Sequence, residues 1–95
     1  MENLKIIESK RLRALIIKAM YDAYPGALLK GTLKRAFAGN YTGIEVGRQL
    51  EYLKGKGYIE IDNEDEPDND NAMVKVTSKG IDLMEETIED PGVGF

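Results

Sequence analysis

Two absences limit the chemistry open to this 95-residue chain: it contains no Cys and no His. There is accordingly no disulfide, no thiol nucleophile, no zinc finger and no imidazole base. Carboxylates remain, and they crowd at Asp62, Glu64, Asp65, Glu66, Asp68 and Asp70. Asp68-Asn69-Asp70 opens like a calcium-binding loop, but Met73 stands where such a loop needs Gly, and Lys79 where it needs a bidentate Glu. Nothing in that stretch buries the carboxylates or separates their pKa values, so they do not form an acid–base pair. A solvated, self-repelling loop accounts for them better. Gly26 to Thr32 has the glycines of a phosphate-binding loop but lacks the Lys that must follow the second one, and no strand precedes it. Asn40-Tyr41-Thr42 is a formal glycosylation sequon, but no secretory signal stands at the N-terminus. The chain therefore reads as neither an enzyme nor a carrier of a metal or cofactor.

The other chemistry on offer is that of cations. Residues 1–58 hold eleven Lys or Arg against five acids, a net +6. Residues 59–95 hold two Lys against twelve acids, a net −10. The total of −4 and the acidic pI of about 4.8 thus conceal a basic segment joined to an acidic one. Phosphate contacts by Lys and Arg supply most non-specific affinity for nucleic acid, so the basic segment is where such binding would reside.

These residues must be positioned by one small core, because a chain this short has no room for a second. Leu12, Leu15, Ile16, Ala19, Met20 and Ala23 recur at helical spacing and predict a helix over Leu4 to Ala23, stopped by Tyr24-Pro25-Gly26. Leu29, Leu33 and Phe37 predict a second helix over Ala27 to Ala38, closed by Gly39-Asn40. Thr42-Gly43-Ile44-Glu45 has the form of a capping box and opens a third helix to about Gly55, with Val46, Leu50 and Leu53 as its buried stripe. Tyr58 to Ile61 and Met73 to Thr77 alternate like the strands of a hairpin. Their long acidic connection, residues 63–71, is expected to be mobile. Ser78 is placed to cap a last helix through about Ile88, with Ile81, Met84 and Ile88 facing inward. One domain over residues 1–90 with a short tail at 91–95 follows. It is mainly α with a small β-hairpin, in the order helix, helix, helix, strand, strand, helix. No apolar run reaches membrane-spanning length, and a cytoplasmic location is expected.

The run Val46-Gly47-Arg48-Gln49-Leu50-Glu51-Tyr52-Leu53-Lys54-Gly55-Lys56-Gly57-Tyr58-Ile59 resembles the recognition helix and first wing strand of MarR- and ArsR-type winged helix-turn-helix regulators. Val76-Thr77-Ser78-Lys79-Gly80-Ile81-Asp82-Leu83 resembles their second wing strand and the helix after it. Tyr24-Pro25-Gly26, Lys79-Gly80-Ile81-Asp82 and Asp90-Pro91-Gly92-Val93 are also similar to small winged-helix proteins of Mu-like prophages. The resemblance implies a winged-helix fold, double-stranded DNA as partner, a role in transcription regulation and a homodimer formed through the first and last helices. On a helical wheel centred on Val46, residues Ile44, Arg48, Glu51 and Tyr52 fall on the outer face, with Glu45 and Gln49 on its flank. In a helix-turn-helix that face enters the major groove. Arg48 is then suited to guanine and Gln49 to adenine, while Thr42 and Tyr52 reach phosphate. Lys34, Arg35, Lys54 and Lys56 are the expected backbone contacts. The acidic wing departs from the basic or mixed wing of DNA-binding relatives. It motivates an alternative: a protein-interaction module whose acidic wing and C-terminal segment meet a basic protein partner.

Overall fold

The computed structural model describes residues 3–62 and 69–95. Among the described residues, four helices accompany a small three-stranded antiparallel sheet. Helix α1 covers Leu4–Ala23, opened by Asn3, whose side chain accepts from the Ile6 N–H at 2.9 Å. Strand β1 is Leu28–Leu29, helix α2 Lys30–Ala36, helix α3 Gly43–Gly55, strands β2 and β3 Ile59–Ile61 and Met73–Val76, and helix α4 Ser78–Met84. The expected order is present with one addition, the short strand ahead of α2.

That strand occupies what the apolar spacing assigned to the start of the second helix. Leu28 and Leu29 pair with Val74 and Met73, placing β3 in the centre of the sheet in the order β1-β3-β2. Leucine favours helix locally, but here the open edge of β3 offers backbone partners, and tertiary pairing overrides propensity. The same contact caps α2. Leu29 gives no side-chain cap; instead the Lys30 and Gly31 N–H groups donate to the carbonyls of Ala72 and Asp70 at 2.9 and 2.8 Å. Gly31 suits this approach, since a Cβ there would stand 3.0 Å from the Asp70 Cβ, and one of the two would have to give. The glycine that looks misplaced in a helix is where another stretch of chain passes.

Helix α3 begins as its sequence predicts. The Thr42 hydroxyl accepts from the Glu45 N–H at 3.1 Å, and the Glu45 carboxylate accepts from the Thr42 N–H at 3.3 Å. Removing the cap by Thr42→Ala is expected to cost about 1 kcal/mol in urea-denaturation experiments, the ordinary value of an N-cap hydroxyl. A loss below about 0.3 kcal/mol would mean that packing alone defines this end of the helix.

Helix α4 differs at both ends from the expected Ser78 to Ile88. Thr77, not Ser78, is the cap: its hydroxyl accepts from the Gly80 N–H at 3.2 Å and donates to the Gly57 carbonyl at 2.6 Å, so strand passes into helix without a loop. The helix stops at Met84, followed by Glu86 in the left-handed region (φ 61°). Beyond it the chain turns back on the helix end, the Thr87 N–H donating to the Asp82 carbonyl at 2.9 Å. Leu83 is buried, whereas Ile81, Met84 and Ile88 are half-buried against the core.

Val46, Leu50, Leu53, Ile59 and Val76 are buried together, joined by Leu12, Ile16, Ile17, Met20, Leu33 and Val74. In α1 the buried set shifts from the expected stripe: Ala14 and Ile17 enter it, while Leu15 and Ala19 are half-buried. The tail is also part of the core. Val93 is 4% exposed, and the Gly94 N–H donates to the Lys10 carbonyl at 2.9 Å. The short tail at 91–95 is thus packed through Val93 and Gly94. Of the loop expected to be mobile, residues 63–68 lie outside the described residues. Asp70 is held through its carbonyl by Gly31 and through its carboxylate by Lys34 at 2.8 Å.

Candidate nucleic-acid interface

Helices α2 and α3 border a groove of about 430 Å³ lined by Lys30, Lys34, Gly43, Ile44, Gly47, Arg48 and Glu51. Ile44 is 71% exposed, unusual for a large apolar side chain, and Arg48 is exposed one turn further on. Gly43 and Gly47 line the groove beside them. Nothing lies within 4 Å of a Cβ built at Gly47, so packing within the chain does not demand this glycine. Mid-helix glycine costs about 0.5–1 kcal/mol relative to Ala, and here it leaves the helix backbone open to close approach from outside. Three cations and one carboxylate, Glu51, line the groove; Lys30 is 5% exposed and Lys34 is paired with Asp70, so among the described residues Arg48 is its exposed cation without an ion pair.

The expected residues divide between this groove and the opposite side of α3. Ile44, Arg48 and Lys34 lie together in the groove. Thr42 and Glu45 are exposed at the start of α3, outside the groove lining, and bound to one another in the capping box. Arg35 is exposed on α2, its guanidinium donating to the Thr32 hydroxyl at 3.3 Å. Lys54 is exposed in the last turn of α3. Gln49, expected on the flank, and Tyr52, expected on the outer face, are both engaged within the protein instead. Gln49 is 8% exposed, and its carbonyl oxygen accepts from the Arg13 Nε at 2.6 Å. Tyr52 is half-buried, with the Arg13 guanidinium 3.6 Å from its ring centroid. Arg13 also donates to the Gly92 carbonyl at 3.0 Å, so one side chain joins α1, α3 and the tail. A helical wheel places Gln49 on the flank and Tyr52 on the outer face; Arg13 of α1, itself bound to the tail, engages both. Lys56 likewise faces the tail, 3.7 Å from the Asp90 carboxylate.

Sequence reasoning did not single out Arg13, Lys30 or the glycines of the groove. Gly43 and Gly47, four residues apart in a helix with no internal need for the second, are the one signal that could have marked the face.

The ionisation behaviour follows the same division. Lys34 donates to the Asp70 carboxylate, and this hydrogen bond holds Asp70 below its ordinary value of 3.8. On the tail side, burial pushes the Tyr58 hydroxyl up from 10.0 to about 12, reinforced by its 2.6 Å hydrogen bond to Asp90. That bond, with the Gly92 N–H and Lys56, holds Asp90 below 3.8 against the opposing effect of burial. Tyr58 has a raised folded value, so its contribution to stability is intact below pH 10.0 and is lost as pH rises toward about 12. Asp90 has a lowered folded value, so its contribution is intact above pH 3.8 and is lost as pH falls below it. Urea melts across pH should therefore show stability falling at both extremes. Tyr58→Phe should flatten the alkaline limb, and an unchanged limb would assign it to other groups.

Among the described residues no cluster of His, Cys, Asp or Glu could hold a metal ion, and no helix is long and apolar enough to cross a membrane. Compared with protein-family models, curated proteins and solved structures, the chain matches none of them.

Proposed function

We propose that this chain is a small winged helix-turn-helix protein that binds double-stranded DNA through the outer face of α3 and acts as a regulator of transcription. The observation that carries the reading is the α2–α3 groove, where exposed Ile44 and Arg48, the bare backbone at Gly47 and the basic side of α2 adjoin one another. The order of a short helix, a turn, a capped helix and then paired strands supports it, since that order presents the second helix to the major groove. Arg48 is the base-reading side chain in this proposal, Ile44 an apolar contact, and Lys34 and Arg35 the phosphate contacts. Gln49 and Tyr52 leave the reading set, because Arg13 already uses them. Asp70 takes the place of a phosphate on Lys34 in the free protein, and DNA would displace it.

Fluorescence anisotropy with random and enriched duplexes, across a salt series, tests the proposal. Arg48→Ala is expected to weaken the preferred duplex by about 1–3 kcal/mol and to relax preference at one base. Lys34→Ala and Arg35→Ala should weaken all sequences alike, each reducing the salt slope by about one. Asp70→Asn should strengthen binding. If the parent shows no salt-sensitive affinity at low ionic strength, the proposal fails and the adaptor alternative, with a basic protein partner on the acidic segment, takes its place.

A further inference from the structure

A second groove, of about 600 Å³, runs along the solvent face of α1 and shares no residue with the α2–α3 groove. Its apolar surface comes from Ile7, Leu15, Met84 and Phe95, with Ile7 47% and Phe95 66% exposed. Arg11 and Lys18 stand exposed among them. Ile7, Arg11, Leu15 and Lys18 follow one another at intervals of four, four and three residues, the seam of a helix that packs along a second helix. Two features determine what can pack there. Arg11 and Lys18 are seven residues apart, two turns or about 10.5 Å along the axis. No side-chain carboxylate lines the groove among the described residues. The seam therefore presents apolar surface interrupted by positive charge at a heptad interval.

A second copy of the same face is a poor fit. Antiparallel pairing centred between the two cations sets Arg11 against Lys18, and in-register parallel pairing sets each cation against itself. Like charges at a packed helix interface oppose association, while opposite charges select the partner.

From this charge pattern we infer that the α1 groove is a docking surface for an acidic amphipathic helix of another protein, with apolar residues on Ile7, Leu15 and Phe95 and carboxylates seven residues apart opposite Arg11 and Lys18. The surface lies on a different side chain set from the α3 face, so it stands or falls independently of DNA binding.

The test is a titration of isotopically labelled protein with two synthetic helical peptides. Both carry the same apolar seam; one has Glu at two positions seven apart, the other Lys. The Glu peptide is expected to shift amides of residues 7–18 and 84–95, to weaken with added salt, and to lose about tenfold in affinity against the Arg11→Glu, Lys18→Glu double variant. Both positions are exposed, so the double variant should melt with the parent; its melting curve is recorded alongside. Equal binding of the Lys peptide, shifts confined to other surfaces, no binding, or an unaltered affinity in a folded double variant would each overturn the inference. So would sedimentation of the parent as a dimer that Ile7→Glu dissociates, which would assign the groove to a second copy.

Discussion

Arg13→Ala is expected to lower the free energy of unfolding by about 2–4 kcal/mol, a large share of the roughly 5–15 kcal/mol that holds a small domain together. Three interactions go at once: the 2.6 Å bond to the Gln49 carbonyl oxygen, the 3.0 Å bond to the Gly92 carbonyl and the stacking on Tyr52 at 3.6 Å. Hydrogen bonds to a charged group contribute about 1.5–3 kcal/mol, and a cation over an aromatic face adds about 0.5–2. The larger penalty is indirect. Gln49 is 8% exposed, so its oxygen is left buried without its partner. Arg13→Lys should recover only part of the loss, since an ammonium cannot make the planar two-sided contact that a guanidinium makes. Urea melts give the magnitude, and amide exchange at Val93 and Gly94 gives the mechanism, because the tail should lose protection before α3 does. A loss below about 0.5 kcal/mol, the usual scale of a solvated surface substitution, would mean that Arg13 is not a lock.

The second large effect is a contrast between two helical glycines. Gly80→Ala should destabilise by about 1–3 kcal/mol, the usual cost of overfilling a packed site. A Cβ there overlaps the Tyr58 carbonyl oxygen and stands 2.7 Å from the Val76 Cγ2. The carbonyl cannot retreat cheaply, because it accepts the Thr77 N–H at 3.0 Å. Gly47→Ala should instead stabilise by about 0.5–1 kcal/mol, since Ala is the better helix former and meets nothing within 4 Å. Paired denaturation curves check both signs. If the two substitutions behave alike, helix propensity rather than close approach governs these positions. On the DNA-binding proposal, Gly47→Ala also carries a functional cost: a more stable protein should bind duplex more weakly, because the new methyl stands between the α3 backbone and the groove edge.

What the sequence alone determined is what depends on near neighbours. The span of α1 follows from its apolar period and the Tyr24-Pro25-Gly26 stop, and the start of α3 from four residues, Thr42 to Glu45, that satisfy one another's backbone groups. The buried stripe of Val46, Leu50 and Leu53 and the antiparallel pairing of β2 with β3 are legible for the same reason, since period and alternation are properties of short segments. The candidate groove was legible in part. Ile44 and Arg48 fall outside whatever the helix packs on, because they lie opposite the stripe. The tertiary structure decided where partners are distant. Leu28 and Leu29 become strand because the edge of β3, more than forty residues on, offers hydrogen bonds that local helix preference cannot outweigh. A wheel puts Gln49 on a flank and Tyr52 on the outer face, but Arg13, 36 residues away from Gln49 and 79 from Gly92, engages both from α1. The tail reads as surplus until Val93 is placed in the core. A helical wheel ranks positions by angle about one axis; which flank is buried depends on where other segments lie, and only the assembled fold supplies those positions.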